Sequence, residues 1–369
     1  MHHHGILGSR AAGCLAIAAW VSLSACQPPE QATPPPAPPP PPPPSAAPPT
    51  ASAQPPAAPK PPQPIVVKGV GLQTPESVLH DEATDVYLVS NINGGPLDRD
   101  NNGFISRISP DGKVLELKWI EGGQKDVRLS APKGMALARD RLYVTDISSV
   151  RVFDRKTGEP LGRVGVVGAT FLNDLTTGPG DRVYFTDTGL KSEEGGLTPT
   201  GTDGVWGVEP GLRAKRIALD RKLRNPNGVA ADEAGIWVAT WGGEFYCVTR
   251  KGKREAVQKL PHAELDGLVR LPDGTFLVSS WAAKAVLRGR PGGEFRPVIS
   301  NLNAPADIGF DAKRNRVLVP LFNEHAVEFH SLQGVLTAAV QTPAAPAGSA
   351  PTPAASASPG AQPAASATK

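Results

Sequence analysis

Six stretches of this chain repeat one pattern, and no other feature of the sequence narrows its fold as far. They read TPESVLHDEATDVYLVSN from Thr74, APKGMALARDRLYVTD from Ala131, FLNDLTTGPGDRVYFTDTG from Phe171, NPNGVAADEAGIWVATW from Asn225, ELDGLVRLPDGTFLVSSW from Glu264 and APADIGFDAKRNRVLVPLF from Ala304. Each gives a short apolar strand, a turn rich in Asp, Gly or Ala, and a second strand rich in Val, Leu, Tyr or Trp. Equivalent positions are Glu76, Lys133, Asn173, Asn227, Asp266 and Ala306, so the spacings are 57, 40, 54, 39 and 40 residues. A period near 40 with two expanded copies predicts an all-β, six-bladed β-propeller of four short strands per blade.

Further strand-turn-strand pieces fill the intervals, such as Gly103–Glu116 around Pro110-Asp111-Gly112 and Val150–Arg163 around Lys156-Thr157-Gly158. The last unit runs out of residues one strand short, whereas Pro64–Lys68 precedes the first unit without a partner. This strand is expected to complete the sixth blade and close the ring. A β-sandwich would give no reason for six copies of one pattern.

The rest of the 369 residues are of a different kind. Residues 1–25 read as a bacterial lipoprotein signal peptide: a basic start with Arg10, an apolar run from Ala11 to Leu23 that is too short to span a membrane, and Leu23-Ser24-Ala25-Cys26, which resembles a lipobox. Cys26 is the expected lipidation site. Residues 26–63 are a Pro-rich linker, 64–332 the propeller, and 333–369 a disordered Ala/Pro/Ser tail, since neither flank can bury enough apolar surface to offset its ordering entropy. Gln27 after the Cys points to the periplasmic side of the outer membrane, within the cell envelope. Of three cysteines only Cys247 remains for the fold, so no internal disulfide forms; its apolar neighbours make it a buried hydrophobe. A net charge of +3 with scattered Lys and Arg argues against nucleic acid as a partner. A monomer is expected.

In a propeller the innermost strands line a central channel, so the shared position should form a ring of Glu76, Lys133, Asn173, Asn227, Asp266 and Ala306. Two carboxylates and two amide oxygens on one axis are costly in a dry core. A hard cation relieves that cost, and an oxygen set without His or Cys favours Ca²⁺ over Zn²⁺, although another divalent cation would also fit. Alternatively, the Lys133 ammonium pairs with Glu76 and Asp266 and the ring needs no metal.

The motifs Pro75-Glu76, Leu172-Asn173-Asp174, Pro226-Asn227-Gly228 and Asp266-Gly267, in this order and at blade spacing, resemble the regucalcin/gluconolactonase family and the propeller phosphotriesterases of the diisopropyl fluorophosphatase type. The resemblance spans residues 65–332. It implies that Glu76, Asn227 and Asp266 hold the metal, that Asn173 binds metal or substrate, and that the chain hydrolyses lactones or esters. Asp266 would then position or deprotonate the attacking water while Ca²⁺ polarises the carbonyl, making Asp266 and Asn173 the catalytic residues. Phe171 stands where gluconolactonase-like members often carry an Arg that contacts a sugar acid, which moves the expectation from a sugar lactone toward ester-like small molecules in general.

The ends of the second strands should return near the ring. Lys133, Asp146, Asp187, Trp241 and Trp281 are therefore candidates for the substrate pocket, beneath the long loops at Ile92–Asn102 and Thr188–Asp203. Asp98-Arg99-Asp100-Asn101-Asn102-Gly103 matches the opening of an EF-hand-like calcium loop, but Ser109 occupies the position of the bidentate Glu. A different class of function competes with the hydrolase. Pro132-Lys133-Gly134-Met135-Ala136 and Leu142-Tyr143-Val144-Thr145-Asp146 also resemble NHL repeats, and a non-catalytic envelope scaffold would suit a lipid-anchored propeller equally well. For the anchor, Cys26→Ala is expected to abolish metabolic incorporation of labelled palmitate and to move the protein from the membrane pellet to the soluble periplasmic fraction.

Overall fold

A computed structural model describes residues 62–333. The signal peptide, Cys26, nearly all of the linker and the tail lie outside the described residues. Within them the second strand of each repeat explains itself. Val86–Asn91, Arg182–Asp187, Ile236–Thr240 and Phe276–Ser280 are rich in β-branched and aromatic residues and are buried along nearly their whole length. Outermost strands such as Val114–Glu121 and Arg254–Lys259 are polar and largely solvent-facing.

Among the described residues the strands form four sheets of four strands, one sheet of eight and a separate hairpin, Leu190–Glu193 with Gly196–Pro199. The eight-stranded sheet consists of two antiparallel runs of four joined through one parallel pair, Arg213 with Gly165. Among the described residues, helical structure is confined to two 3₁₀ turns, Arg221–Leu223 and Phe322–Glu324. Ile65–Lys68 pairs antiparallel with Ala326–Ser331, setting Ile65 opposite Phe329 and Lys68 opposite Ala326, so the first strand of the chain forms the edge of its last sheet.

The hydrophobic core is divided in the same way. Each of six clusters straddles two neighbouring four-stranded sets. In one, Trp237 and Phe245 of the fourth set meet Phe276 and Phe295 of the fifth. In another, Val78, Tyr87 and Val89 of the first set meet Leu318, Val327 and Phe329 of the last, which joins the end of the series to its beginning. Polar contacts reinforce this closure: Tyr87 Oη donates to Asp311 Oδ2 at 2.6 Å, and Arg314 Nη1 donates to both Asp311 Oδ2 and Asp85 Oδ1 at 2.8 Å.

The sixth innermost strand is shorter than its repeat suggests. Regular pairing there covers only Gly309–Asp311, and Ala306 precedes it in a stretch tied by single bridges. Pro305 and Pro320 lack amide donors, so the ladder is reduced to Ala306 N donating to Pro320 O at 3.0 Å.

The Phe245 ring lies 5.2 Å from Trp237, 5.2 Å from Phe276 and 5.3 Å from Phe295 between centroids. Phe245→Ala is expected to lower the unfolding free energy by about 3–5 kcal/mol, read from urea denaturation, because a cavity there opens two sheets at once.

Candidate functional site

In five of the sets, the pairing of innermost and second strands breaks at one place: between Pro75 and Ser77, Pro132 and Met135, Leu172 and Leu175, Pro226 and Val229, and Leu265 and Leu268. Glu76, Lys133, Asn173, Asn227 and Asp266 lie inside these breaks. A bulge frees a residue from the ladder and re-aims its side chain. All five side chains are buried, with residue exposures of 6% or less.

A column of hydroxyls satisfies the backbone that the bulges release. Ser90 Oγ accepts from Ser77 N at 2.9 Å. Thr186 Oγ1 accepts from Asp174 N at 3.2 Å and donates to Asn227 O at 2.7 Å, while Ser279 Oγ accepts from Gly267 N at 2.8 Å and donates to Ala306 O at 2.7 Å. Thr145 Oγ1 likewise donates to Asn173 O. Three of these hydroxyls therefore tie the bulge of one set to the ring residue of the next. The approach between sets is close: a Cβ on Gly228 would lie 2.1 Å from Asp266 O, and one on Gly267 would lie 2.3 Å from Ile308 N, so only glycine fits.

The ring's oxygens are not all satisfied. Glu76 Oε2, Asn227 Oδ1 and Asp266 Oδ1 are buried without a hydrogen-bond partner. Leaving a buried acceptor unmet costs about 1–3 kcal/mol, and more when it is charged. Burial, and then the Asp266 and Asp307 carboxylates, hold the Glu76 carboxyl well above its usual range. Asp266 is pushed up to about 7 by burial and by Asp307. The remaining Asp266 oxygen, Oδ2, accepts from Trp281 Nε1 at 2.8 Å. Asn173 Nδ2 donates to Thr188 Oγ1 at 3.0 Å and Asn227 Nδ2 to Leu265 O at 3.3 Å, so both carboxamide nitrogens are already committed. Orphaned oxygens from carboxylates and carboxamides suit a hard cation. Among the described residues no three His, Cys, Asp or Glu side chains gather as a metal site, so such an ion would depend on the carboxamides.

Lys133 makes no direct ion pair within the ring, although the Glu76 carboxylate acts on it through space. Its Nζ donates to Ala131 O at 3.0 Å and lies 4.8 Å from the centre of the Phe171 ring, and it forms no ion pair with Glu76 or Asp266. Burial lowers its pKa to about 8, against the opposing pull of Glu76 and Asp146. Phe171 covers the Lys133 ammonium with an apolar ring.

Asp146 and Asp187 have their carboxylates engaged by neighbouring backbone amides and, for Asp146, by Arg151. Asp146 Oδ1 accepts from Ser130 N and Ala131 N at 3.1 and 3.0 Å, and its Oδ2 accepts from Arg151 Nε at 2.8 Å. Asp187 accepts from the backbone amides of Thr170, Phe171 and Gly189. Both carboxylates fasten the segments that lead into the innermost strands. Trp241 and Trp281 are not their counterparts, because the register pairs Pro226 with Thr240 and Leu265 with Ser280, as it pairs Pro132 with Asp146. The tryptophans stand one residue further on, in a column with Ile92, Ile147, Thr188 and Phe322. Backbone bonds repeat along this column: Ile92 N donates to Thr74 O, Thr188 N to Phe171 O, Trp241 N to Asn225 O, Trp281 N to Glu264 O and Phe322 N to Ala304 O.

The 98–103 loop uses its own oxygens. Asp98 Oδ2 accepts from Gly95 N at 2.8 Å, Asp100 Oδ2 from Asn102 Nδ2 at 2.7 Å and Asn101 Oδ1 from Leu129 N at 2.8 Å, the pattern of a polar turn. Cys247 is buried, and burial raises its thiol to about 11, as befits an inert packing residue.

A second acidic layer was not apparent from the repeat. Residues following the ring positions include Ser77, Asp174 and Asp307, and Ser77 Oγ donates to Asp307 Oδ2 at 2.5 Å while Val229 N donates to Asp174 Oδ2 at 2.6 Å. Burial pushes Asp307 up to about 7 and Asp174 well above its usual range. These three residues sit at the inner end of a cavity of about 570 Å³, which runs between Leu79, Leu137, Thr177 and Val269, away from the tryptophans. The signal available in the sequence was the residue after each marker, where Ser77, Asp174 and Asp307 stand against glycine in the other three repeats.

No protein-family model matches the chain, and no curated protein matches it. Solved structures do. A gluconolactonase from Xanthomonas campestris is similar at 19% identity over 72% of this chain and 87% of that one, with a TM-score of 0.53. A luciferin-regenerating enzyme is similar at 14% identity over 73% and 96%, with a TM-score of 0.54. Virginiamycin B lyase from Staphylococcus aureus is similar at 11% identity over 73% and 98%, with a TM-score of 0.52. At these identities the likeness establishes the propeller-type fold.

A carboxyl whose pKa is raised on folding binds its proton more tightly in the native state, so its contribution to stability is present below the unfolded value and lost as pH rises through the folded one. With Asp266 and Asp307 both near 7 and unfolded carboxyls near 4, stability measured in chelator is expected to fall between about pH 4 and pH 7. Asp266→Asn should flatten that slope in thermal melts across the same range.

Proposed function

We propose, from the propeller fold shared with gluconolactonase-type structures, that this chain is a six-bladed propeller and a Ca²⁺-dependent hydrolase of lactones or esters, with its site at the channel. The observation that carries the reading is the trio of orphaned, buried oxygens on Glu76, Asn227 and Asp266. A ring that satisfied itself with a counterion would not leave three acceptors from three sets unmet, and Lys133, the available cation, is turned to Ala131 O. Glu76, Asn173, Asn227 and Asp266 would hold the ion. When bound, it would supply Lewis-acid polarisation of a substrate carbonyl.

The side chains contribute the remaining parts. Trp281 fixes one oxygen of Asp266, and the other, with the Asn227 carboxamide near the carboxylate, completes no hydrogen bond of its own. A carboxylate anchored through one oxygen, with the other unengaged, is suited to orient a water and accept its proton. Thr188 holds the nitrogen of Asn173 and donates onward to Pro226 O at 2.8 Å, which prevents the carboxamide from flipping. Burial of the whole ring keeps bulk water from competing. The protein would work as a monomer in the cell envelope, tethered through Cys26.

The decisive assay is a panel of simple lactones and aryl esters with and without chelator. Asp266→Ala and Asn173→Ala are each expected to lower kcat/KM by roughly 10²–10⁴-fold. Calcium at 100 times its Kd should add about 2.7 kcal/mol of stability to the wild type and far less to Asp266→Ala. Hydrolysis that persists at full rate in chelator, or in both variants, would end this reading.

A further inference from the structure

The column that follows the second strands surrounds the ring with carbon. Its members are Ile92, Ile147, Thr188, Trp241, Trp281 and Phe322, and the single polar one, Thr188, is bound to Asn173. The column has two characters. On the first two sets Ile92 and Ile147 are buried and pack with Ala131, Leu97 and Phe322, a closed apolar seam. On the last three it is aromatic and partly open. The Trp281 and Trp241 centroids are 5.6 Å apart at an interplanar angle of 69°, Phe322 lies 5.2 Å from Trp281, and Trp241 remains 38% exposed.

This aromatic arc is joined to the chemistry. The Trp281 indole N–H donates to Asp266 Oδ2 at 2.8 Å, so its ring is held directly beside the carboxylate, and Trp241 packs edge-on against it on the solvent side. The column itself carries no charged side chain; the Lys133 ammonium is covered by Phe171, and Arg99 is engaged by Ser148 beside the closed apolar seam rather than at the aromatic arc. Large aromatic faces left partly open at a buried polar centre gain most from a flat apolar group that stacks on them.

We infer that Trp241, Trp281 and Phe322 form the recognition wall of the site and select an ester or lactone carrying a planar aromatic group beside the scissile carbonyl, an inference that rests on the hydrolase reading above. Trp281 acts both as wall and as the positioning residue for Asp266. Trp241, which touches neither Asp266 nor any other ring residue through a hydrogen bond, is the member whose loss reports on the wall alone.

Dihydrocoumarin and δ-valerolactone share a six-membered lactone and differ by a fused benzene ring. An aryl ester is intrinsically more reactive, so KM rather than kcat carries the comparison. The wild type is expected to show a KM at least tenfold lower for dihydrocoumarin, with the ratio of the two KM values falling about tenfold in Trp241→Ala and largely recovering in Trp241→Phe. Equal KM values in the wild type, or an unchanged ratio in Trp241→Ala, would overturn the inference. If neither lactone is turned over, the hydrolase reading fails by itself, and calorimetry with hydrocinnamate and valerate decides the wall. Tighter binding of hydrocinnamate that weakens in Trp241→Ala sustains it, and indifference to the aromatic ring removes it.

Discussion

The arrangement rests on one recurrent defect in the strand pairing, the bulge between innermost and second strands, and on the hydroxyl that heals it. Without the bulge, Glu76, Asn173, Asn227 and Asp266 would be ordinary strand residues alternating between two apolar sheet faces. With it, they leave the ladder at one level. Because Thr145, Thr186 and Ser279 also reach the carbonyl of the next ring residue, the device that exposes the polar side chain fixes its distance to the neighbouring set. Gly228 and Gly267 complete it by letting adjacent backbones touch where any Cβ would collide.

Charge is treated in opposite ways at the two ends of the innermost strands. Near Asp81, Asp85 and Asp311, carboxylates are met by Arg155 and Arg314, and these partners, with the Tyr87 hydroxyl foremost at Asp311, hold all three below the ordinary range even where burial opposes them. Around the ring, burial and mutual repulsion outweigh the single Lys133 ammonium, and the carboxylates' affinity for protons rises. The first pattern stabilises closure of the fold. The second stores unfavourable free energy at one place, and this contrast distinguishes a site from a buried structural network.

Much of this was legible in the residues. The sixfold pattern led to sets of four strands, and the unpaired PIVVK segment indicated which strand would finish the last sheet. The ring was found because its members recur at one position of the repeat. What remained hidden depended on hydrogen bonding that spacing does not encode. Trp241 and Trp281 stand one residue beyond the level of the strand-end carboxylates, an offset that only the paired register shows. Asp146 and Asp187 have the composition of site residues, but their oxygens are consumed by the amides of their own loops, which only coordinates reveal. The hydroxyl column is present as Ser90, Thr145, Thr186 and Ser279, yet Ser and Thr are common in strands and carry no distinctive signal.

The pairing of Ile65–Lys68 with Ala326–Ser331 gives the domain a property of its assembly rather than of its site. A contact between Ile65 and Phe329 spans almost the entire domain, and although the entropy of closing so long a loop grows only logarithmically, such a pairing is among the last a searching chain can make. A chain emerging amino end first must therefore keep its earliest strand unmatched until its final strand is made, and the circle of sheets becomes cooperative in one late step, as a clasp turns a strip into a band.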